Sequence, residues 1–291
     1  MILVTGATGN VGGELVAQLA AQGTPVRAMT RRPGAARFPA GVEVVYGDFD
    51  DPGSIDEAFR DVDAAFLMSA QPMGIAERPT HDVSLAEAAR RASVGHVVKL
   101  SALDGGAGKD PIGAWVREGE EAVVGSGMSW TLLRPGRFMS NALQWAPMIR
   151  RGDTVTIPFA SWPTASIDPA DIAAVALAAL TDDRHRNRAY PLSGPEVLTP
   201  SDELRILATT LGRRRLQLVE PPVEVVRAGM LAAGISEPVV DAIVDRSLSD
   251  DETGALVLPT VEEILGRPPG TFTTWAKAHA EQFAQELGGT P

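Results

Sequence analysis

The sequence predicts an α/β protein, in which a doubly wound parallel sheet is joined to a smaller C-terminal lobe. Short apolar segments alternate with amphipathic helical segments as far as Pro135, and the alternation becomes irregular beyond it. A glycine-rich turn follows the first apolar segment. Strands that alternate with helices need right-handed crossovers, and such crossovers give a parallel sheet with helices on both faces.

The individual elements follow from the positions of apolar runs, turn residues and helix caps. The first predicted strand starts at Ile2. The other predicted strands cover residues 24–30, 42–46, 64–68, 97–100, 130–133 and 190–192. The predicted helices cover residues 14–21, 54–60, 79–92, 112–124 and 169–180, and a further helix opens at Thr199. Either Ser54 or Asp51 is expected to cap the second helix, and Asp168 the helix that Pro169 begins.

The turn after the first strand carries glycines at positions 6, 9 and 12, directly before the first helix. A dinucleotide pyrophosphate needs such a tight turn, a close approach of the backbone and the free N–H groups of a helix N-terminus. Glycine triplets alone are common, but here a strand precedes the triplet and a helix follows it. The predicted pyrophosphate loop comprises Gly6, Thr8, Gly9, Asn10, Val11 and Gly12.

The end of the second strand distinguishes between the two nicotinamide cofactors. An acidic residue there favours NAD, whereas arginine accommodates the extra phosphate of NADP. This chain has Arg31 and Arg32 at that position and no carboxylate before Glu43. The sequence therefore favours NADP(H), with Arg31 as the main phosphate ligand; the alternative is two solvated loop arginines.

The carboxyl ends of the other strands supply the remaining cofactor contacts, because ligands bind at that edge of an open α/β sheet. Asp48 is expected to accept a hydrogen bond from the adenine amino group with Phe49 packed beside it, although Asp48 is also a typical turn residue. Ser101 is the candidate catalytic hydroxyl, and Lys99 is expected to be structural and to point away from the neighbours of Ser101. The residues expected to line the nicotinamide ribose are Met68, Ser69, Ala70 and Ser101.

Composition narrows the class of partner. The chain carries 26 basic and 37 acidic residues, a net charge of -11, and its pI is about 4.9. This balance argues against nucleic acid or an anionic membrane as a partner. The absence of cysteine excludes disulfides and thiolate ligands, and the four histidines show no metal-ligand spacing. The N-terminus shows neither a signal peptide nor a membrane-spanning run, so a cytoplasmic protein is expected.

Several motifs along the chain resemble the atypical short-chain dehydrogenase/reductases, specifically the NmrA-like NAD(P)H-binding branch with its quinone-reductase-like and azoreductase-like members. The resemblance covers nearly the whole chain in order. The matching segments are Val4-Thr5-Gly6-Ala7-Thr8-Gly9-Asn10-Val11-Gly12, Arg27-Ala28-Met29-Thr30-Arg31, Gly47-Asp48, Leu100-Ser101-Ala102, Ser129-Trp130-Thr131-Leu132-Leu133-Arg134-Pro135, Asp168-Pro169-Ala170-Asp171-Ile172-Ala173, Leu192-Ser193-Gly194-Pro195-Glu196 and Leu265-Gly266-Arg267-Pro268-Pro269.

The resemblance implies a Rossmann domain over residues 1–135 and a lobe over residues 136–291 that closes over the substrate. It also implies that the nicotinamide lies near Pro135 and Phe138. Residues 168–192 are expected to return to the Rossmann domain. Phe138, Met139, Trp145, Met148 and Trp162 are candidates for an apolar pocket, although such a stripe is also typical of an ordinary core.

The tyrosine and lysine that active members of the wider superfamily carry four residues apart are absent. Counted back from Glu120, the lysine position falls near Val116 and the tyrosine position near Ile112. The two tyrosines of the chain, Tyr46 and Tyr190, are not followed by lysine at the fourth position. Alcohol dehydrogenation needs a positioned proton donor, whereas a conjugated acceptor delocalises the charge that hydride transfer creates.

The sequence therefore predicts an NADPH-dependent reductase of a quinone, azo or enone acceptor, acting by positioning more than by acid–base chemistry. Its substrate is expected to be small, planar and apolar, and a homo-oligomer is left open. One alternative is a non-catalytic redox sensor that binds NADP(H) and changes the behaviour of a partner. A second is a tailoring reductase dedicated to one natural product.

Overall fold

The computed structural model describes residues 1–249 and 252–284. Contacts within the chain divide it into two units. The sheet unit comprises Met1–Pro135, Pro169–Leu192 and Thr260–Arg267. The helical unit comprises Gly136–Asp168, Ser193–Pro259 and the segment from Pro268 onward.

The strands are short, and in both units they pair in parallel. In the sheet unit the spatial order is β3-β2-β1-β4-β5-β6-β8, and in the helical unit β7 pairs with β9. The strands of the described chain are β1 (Ile2–Val4), β2 (Val26–Thr30), β3 (Glu43–Tyr46), β4 (Ala64–Leu67), β5 (His96–Leu100), β6 (Ser129–Pro135), β7 (Thr154–Thr156), β8 (Arg188–Leu192) and β9 (Gln217–Val219).

Helices make up most of the remaining described structure. The α-helices are α1 (Asn10–Ala21), α2 (Pro52–Ala58), α3 (Thr80–Arg91), α4 (Pro111–Val124), α5 (Ala146–Arg151), α6 (Pro169–Thr181), α7 (Pro200–Thr210), α8 (Val223–Ala232), α9 (Glu237–Leu248), α10 (Thr260–Leu265), α11 (Phe272–Ala278) and α12 (Ala280–Phe283). Short 3₁₀ helices cover Met139–Trp145, Asp183–His185 and Glu252–Ala255.

Helices cover both faces of the seven-stranded sheet. Alternate strand residues, among them Leu3, Ala65 and Val97, form one buried cluster with apolar side chains of α2, α3 and α4. On the other face, α1 and α6 contact each other and the central strands. The predicted doubly wound parallel sheet is thus confirmed, and its chain reversal between β1 and β4 places a ligand crevice at the carboxyl ends of the strands.

Two predicted helix starts differ from the observed ones by more than one residue. The first helix begins at Asn10 rather than at residue 14, because Gly12 and Gly13 lie in its first turn, where low helix propensity hides the start. The second begins at Pro52, with Asp51 as its cap: the Asp51 carboxylate accepts a hydrogen bond from the Ser54 N–H at 3.4 Å. Ser54 is therefore not the capping residue.

The helical unit has its own core. Trp145, Phe272, Trp275 and Phe283 are all at most 2% exposed and belong to one apolar cluster. Thr199 caps helix α7, in the segment where the sequence predicts a helix to open: its hydroxyl accepts from the Asp202 N–H while the Asp202 carboxylate accepts from the Thr199 N–H. This reciprocal cap satisfies two backbone donors that a helix start otherwise leaves open.

Stability of the sheet unit is expected to fall below pH 6.5. His96 is buried at the start of β5, and burial, followed by the charge of Arg186, lowers its pKa below the ordinary value of 6.5. As the pH falls below 6.5, the unfolded chain therefore takes up the proton first, and the free energy of unfolding decreases until the folded state is protonated too. Urea denaturation at pH 7.5 and pH 5.5 measures this loss.

His81 and His185 also have lowered pKa values caused mainly by burial, so they add to the same loss. The variant His96→Gln is expected to lose less stability on acidification than the parent. An identical loss in both proteins would contradict the role of His96.

Candidate functional site

The glycine turn after β1 has no room for side chains at two positions. Gly6 has a positive φ of 61°, and a Cβ there lies 2.6 Å from the Met68 sulfur. A Cβ on Gly12 lies 2.3 Å from the carbonyl oxygen of Gly6. The Gly9 N–H donates to that same carbonyl at 2.9 Å, and α1 begins one residue later. The turn therefore needs glycine for both backbone conformation and close approach.

The N-terminus of α1 suits an anion. Gly9 precedes the helix in an extended conformation with φ of -86° and ψ of 176°. Within the described chain no side chain caps this end, and no acidic residue lies in the first turn. Thr8 and Asn10 are exposed, while Val11 points into the core. Backbone N–H groups and the helix dipole together favour a phosphate here.

The two arginines predicted to choose the cofactor follow directly after β2. Both are exposed, and neither forms an ion pair with another described residue. The backbone N–H of Arg32 donates to the Thr30 hydroxyl at 3.2 Å, which fixes the chain at the strand end. Arg31 and Arg32 are thus cationic groups next to the carboxyl edge of the sheet, and their proposed phosphate contact stays a prediction.

Asp48 and Phe49 lie in a turn that is tied to other segments. The Asp48 N–H donates to the Ser54 hydroxyl at 2.9 Å, and the Asp48 carboxylate accepts from the Asp50 N–H at 3.2 Å. The Phe49 ring stacks on the imidazole of His81, with 3.8 Å between centroids and 4° between planes. One face of Phe49 is therefore covered by His81, a residue the sequence interpretation did not include.

The end of β4 is anchored from both sides. The Met68 N–H donates to the Thr5 hydroxyl at 2.8 Å, and that hydroxyl donates to the Met68 carbonyl at 2.9 Å. The Ser69 hydroxyl donates to the Asp82 carboxylate at 3.0 Å, and Ala70 is exposed. These contacts fix the backbone of a segment that the sequence places at the nicotinamide ribose.

Ser101 belongs to a hydrogen-bonded chain with two charged residues. Its hydroxyl donates to the Glu120 carboxylate at 2.5 Å, and Arg134 binds both oxygens of that carboxylate at 2.9 and 2.6 Å. Glu120 is 6% exposed, and its hydrogen bond is the main cause that raises the pKa of Arg134. Because the Ser101 proton points to Glu120, the Ser101 oxygen is left as an acceptor.

Glu120 was not predicted to be a functional residue, although the sequence contains a signal for it. Val116 and Val123 are buried on the inner face of α4, and Glu120 lies four residues after the first and three before the second. A carboxylate on the apolar face of a helix indicates a buried partner, because an unpaired charge there is costly. Here the partners are the hydroxyl of Ser101 and the guanidinium of Arg134.

The expected separation of Lys99 from Ser101 is wrong. Residues two apart along a strand point to the same face, and both side chains reach α4. A Cβ at Gly119 lies 3.3 Å from the Lys99 Cε, whereas Ser101 contacts the next residue, Glu120. The Lys99 ammonium forms a buried ion pair with Asp82 at 2.7 Å.

Helix α4 also carries the two residues near which the sequence resemblance places the tyrosine and lysine of the wider superfamily. Ile112 is half-buried and Val116 is 9% exposed. The exposed Tyr46 lies on β3, and the Tyr190 hydroxyl is 2.8 Å from the Nδ1 of His185. Among the described residues, neither tyrosine hydroxyl forms a hydrogen bond with a lysine.

Pro135 and Phe138, the residues predicted at the nicotinamide, belong to different units. Pro135 is buried at the end of β6 in the sheet unit. In the helical unit the half-buried Phe138 forms a β-bridge with Ile167. Of the apolar pocket candidates, Met139 and Trp145 belong to the core cluster, which favours the ordinary-core interpretation for these two.

The described part of the chain contains neither a candidate metal site nor a candidate membrane-spanning helix. No group of three or more His, Cys, Asp or Glu side chains there lies close enough to hold a metal ion. No helix of the described residues is long and apolar enough to cross a membrane.

The strand order, the glycine turn and the helix that follows it define the class of Rossmann dinucleotide-binding proteins. Residues 6–183 match the model of a family described as NAD(P)H-binding, and the chain belongs to this family. The resemblance predicted from the motifs is confirmed, as is the NAD(P)H cofactor.

Two relatives extend over the full chain. The (4-alkanoyl-5-oxo-2,5-dihydrofuran-3-yl)methyl phosphate reductase of Streptomyces griseus is 44% identical, over 98% of this chain and 100% of the relative. The NAD(P)H azoreductase of Xenophilus azovorans is 35% identical, over 97% of this chain and 99% of the relative. The chain is accordingly an NAD(P)H-dependent reductase, as the sequence predicts.

A solved structure shows the same fold. The NADPH-dependent quinone oxidoreductase QOR2 of Escherichia coli, complexed with NADPH, superimposes with a TM-score of 0.76 at 23% identity. The match covers 97% of this chain and 100% of the other.

Proposed function

We propose that this reductase transfers hydride from NADPH to a conjugated carbon–carbon double bond, the β-carbon of an α,β-unsaturated carbonyl compound. The observation that carries the proposal is that α4 has Ile112 and Val116, and neither tyrosine nor lysine, near the positions that the sequence resemblance assigns to the phenol and the ammonium. Conjugate reduction does not need that pair, because the negative charge spreads onto the carbonyl oxygen and water can supply the proton.

The identity of the relatives supports this acceptor class. A 2,5-dihydrofuran with a 5-oxo and a 4-alkanoyl group, as in the name of the Streptomyces griseus enzyme, is an electron-poor alkene. Azo groups, the acceptors named for the second relative, also delocalise charge. We further propose that the substrate is planar and largely apolar. The cytoplasmic location and a homo-oligomer stay predictions from the sequence.

Different residues of the sheet unit bind different parts of the cofactor in this proposal. Bound NADPH supplies the hydride. The glycine turn and the first turn of α1 hold the pyrophosphate, and Arg31 binds the 2′-phosphate with help from Arg32. Asp48 accepts from the adenine amino group, and Phe49 packs beside the adenine.

Ser101 contributes orientation in this proposal. Its proton is directed to Glu120 at 2.5 Å, and Arg134 keeps that carboxylate paired. The Ser101 oxygen can therefore accept a hydrogen bond from the cofactor or from a water molecule that protonates the product. Pro135 and Phe138 are assigned to the nicotinamide from the sequence resemblance.

Removing the Arg31 guanidinium is expected to change cofactor preference. In Arg31→Ala the Kd for NADPH rises about 10- to 100-fold, because a charged hydrogen-bond pair with phosphate is lost. The Kd for NADH stays within about twofold, since NADH carries no 2′-phosphate. Calorimetric titration with both cofactors measures the two values, and Arg37→Ala, in the same loop, is the control.

An equal loss of affinity for both cofactors in Arg31→Ala would contradict the phosphate role. A loss confined to Arg32→Ala would move that role to the second arginine.

Spectroscopic NADPH oxidation tests the reaction itself. The substrates are an acyl-substituted unsaturated lactone, a simple enone, a quinone, an azo dye and a saturated ketone as the control. The proposal predicts turnover of the unsaturated carbonyl compounds and none of the saturated ketone. Turnover of the ketone alone would overturn it, and tight NADPH binding without any turnover would favour the sensor.

A further inference from the structure

A buried ion pair connects strand β5 with helix α3. The ammonium of Lys99, on β5, is 2.7 Å from the carboxylate of Asp82, on α3. The side chains are 5% and 12% exposed. The other oxygen of Asp82 accepts a hydrogen bond from the Ser69 hydroxyl at 3.0 Å. Lys99, Asp82 and Ser69 thus form a chain of contacts from the interior of the sheet unit to its carboxyl edge.

Helix α4 leaves space for this pair. A Cβ at Gly119 lies 2.7 Å from an Asp82 carboxylate oxygen and 3.3 Å from the Lys99 Cε. Any larger residue at position 119 displaces the carboxylate or the lysine stem. Glycine at this position makes the helix about 1 kcal/mol less stable than alanine would. It also leaves the space between α3 and α4 in which the two charged groups lie.

Stability alone does not explain such a pair. Val97 and Val98, the neighbouring residues of β5, are fully buried and apolar. Taking two charges out of water offsets most of their attraction, and apolar replacements of similar volume are often as stable. What an apolar pair cannot supply is a fixed acceptor for the Ser69 hydroxyl.

The direction of that hydrogen bond matters. Asp82 paired with Lys99 is an acceptor only, so the Ser69 proton must point to it. The lone pairs of the Ser69 oxygen are then left for an external donor at the end of β4. A ribose hydroxyl is such a donor.

We propose that Lys99 and Asp82 are positioning residues for the nicotinamide ribose, acting through Ser69. This inference rests on the proposed function and on the sequence prediction that Ser69 lines that ribose. Lys99 keeps Asp82 in place as an acceptor, Asp82 orients the Ser69 hydroxyl, and the Ser69 oxygen accepts from a ribose hydroxyl of the cofactor. The ribose occurs in NADPH and NADH alike, so both cofactors depend on the chain of contacts.

The test compares two nearly isosteric pairs. In Lys99→Met/Asp82→Asn the amide oxygen still accepts from Ser69, whereas Lys99→Met/Asp82→Leu removes the acceptor. Calorimetry is expected to give a Kd for NADPH near that of the parent in the asparagine pair and about three- to tenfold higher in the leucine pair, as for one lost hydrogen bond. The Kd for NADH rises by the same factor.

Two further measurements isolate the role of Ser69. Ser69→Ala is expected to weaken NADPH binding as much as the leucine pair does, and the triple variant no further, since all remove one interaction. Adenosine 2′,5′-bisphosphate lacks the nicotinamide ribose, so its affinity stays unchanged in all these variants. Arg78→Met is the control, because Arg78 pairs with Glu118 of α4 on the surface and does not touch Ser69.

Each outcome separates this inference from the proposed function. Equal Kd values for the leucine and asparagine pairs, with unfolding free energy changed in both, would make Lys99 and Asp82 structural only and overturn the inference. Additive effects of Ser69→Ala and the leucine pair would overturn it as well. Failure of the parent protein to bind NADPH or NADH would overturn the proposed function and the inference together.

Discussion

Replacing Gly12 by alanine is expected to raise the Kd for NADPH about a hundredfold. The new Cβ lies 2.3 Å from the Gly6 carbonyl oxygen and 2.8 Å from the Gly6 carbonyl carbon, and both atoms belong to backbone. The turn and the start of α1 must therefore separate. Backbone displacement of this kind costs up to about 3 kcal/mol, which corresponds to a roughly hundredfold increase in Kd.

Gly13→Ala is the matched control, because the next residue of the same helix turn has space. Its Cβ lies 3.6 Å from the Ala7 carbonyl oxygen, an ordinary contact. This variant is expected to bind NADPH like the parent and to gain up to about 1 kcal/mol in unfolding free energy. Calorimetry and urea denaturation measure both effects. Comparable NADPH binding by Gly12→Ala and Gly13→Ala would remove the glycine turn from the cofactor site.

The second large effect is expected in the helical unit. Arg137→Met is predicted to lower the unfolding free energy by about 3–5 kcal/mol, because it leaves the Glu203 carboxylate buried without its cation. Glu203 is fully buried, and its carboxylate accepts from Arg137 at 2.5 Å and from the Ser166 hydroxyl at 2.9 Å. Burial raises the pKa of Glu203, while the Arg137 charge opposes that rise.

Urea denaturation checks this value against a surface pair on the same helix. Arg205 binds Asp202 at 2.8 Å, but its side chain is 72% exposed, so Arg205→Met is expected to cost less than about 1 kcal/mol. The double variant Arg137→Met/Glu203→Leu should regain most of the lost stability, since no unpaired charge remains. A loss in Arg137→Met no larger than in Arg205→Met would show that Glu203 does not need its partner.

The parallel sheet follows from the sequence because most of its strands alternate with clear helices, although no helix lies between β2 and β3. Apolar runs of four or five residues, such as Ala64–Leu67, are typical of strands inside a parallel sheet, because such strands are buried on both faces. The start of α1 was harder to predict, since Gly12 and Gly13 are poor helix formers and packing at the turn requires glycine at position 12. At position 12 the close contact with the Gly6 backbone, and not the low helix propensity of glycine, determines the structure.

Side-chain partners across the sheet were beyond sequence reasoning. His81 meets Phe49, and Asp82 meets Lys99, only because α3 begins beside the ends of β3 and β4 in the folded sheet. Neither pair has a characteristic spacing. Glu120 was within reach of prediction, because it is a carboxylate on the apolar face of α4. The proton direction at Ser101 depends on that carboxylate.

The most direct test of the proposed reaction is a single turnover with NADPH that carries deuterium at the transferable C4 position. The acceptor is an acyl-substituted unsaturated lactone, and mass spectrometry with NMR locates the label in the product. We expect one deuterium at the β-carbon of the former double bond and an intact carbonyl group. Deuterium on a carbinol carbon, or unlabelled acceptor recovered with the cofactor bound, would contradict hydride transfer to a conjugated alkene.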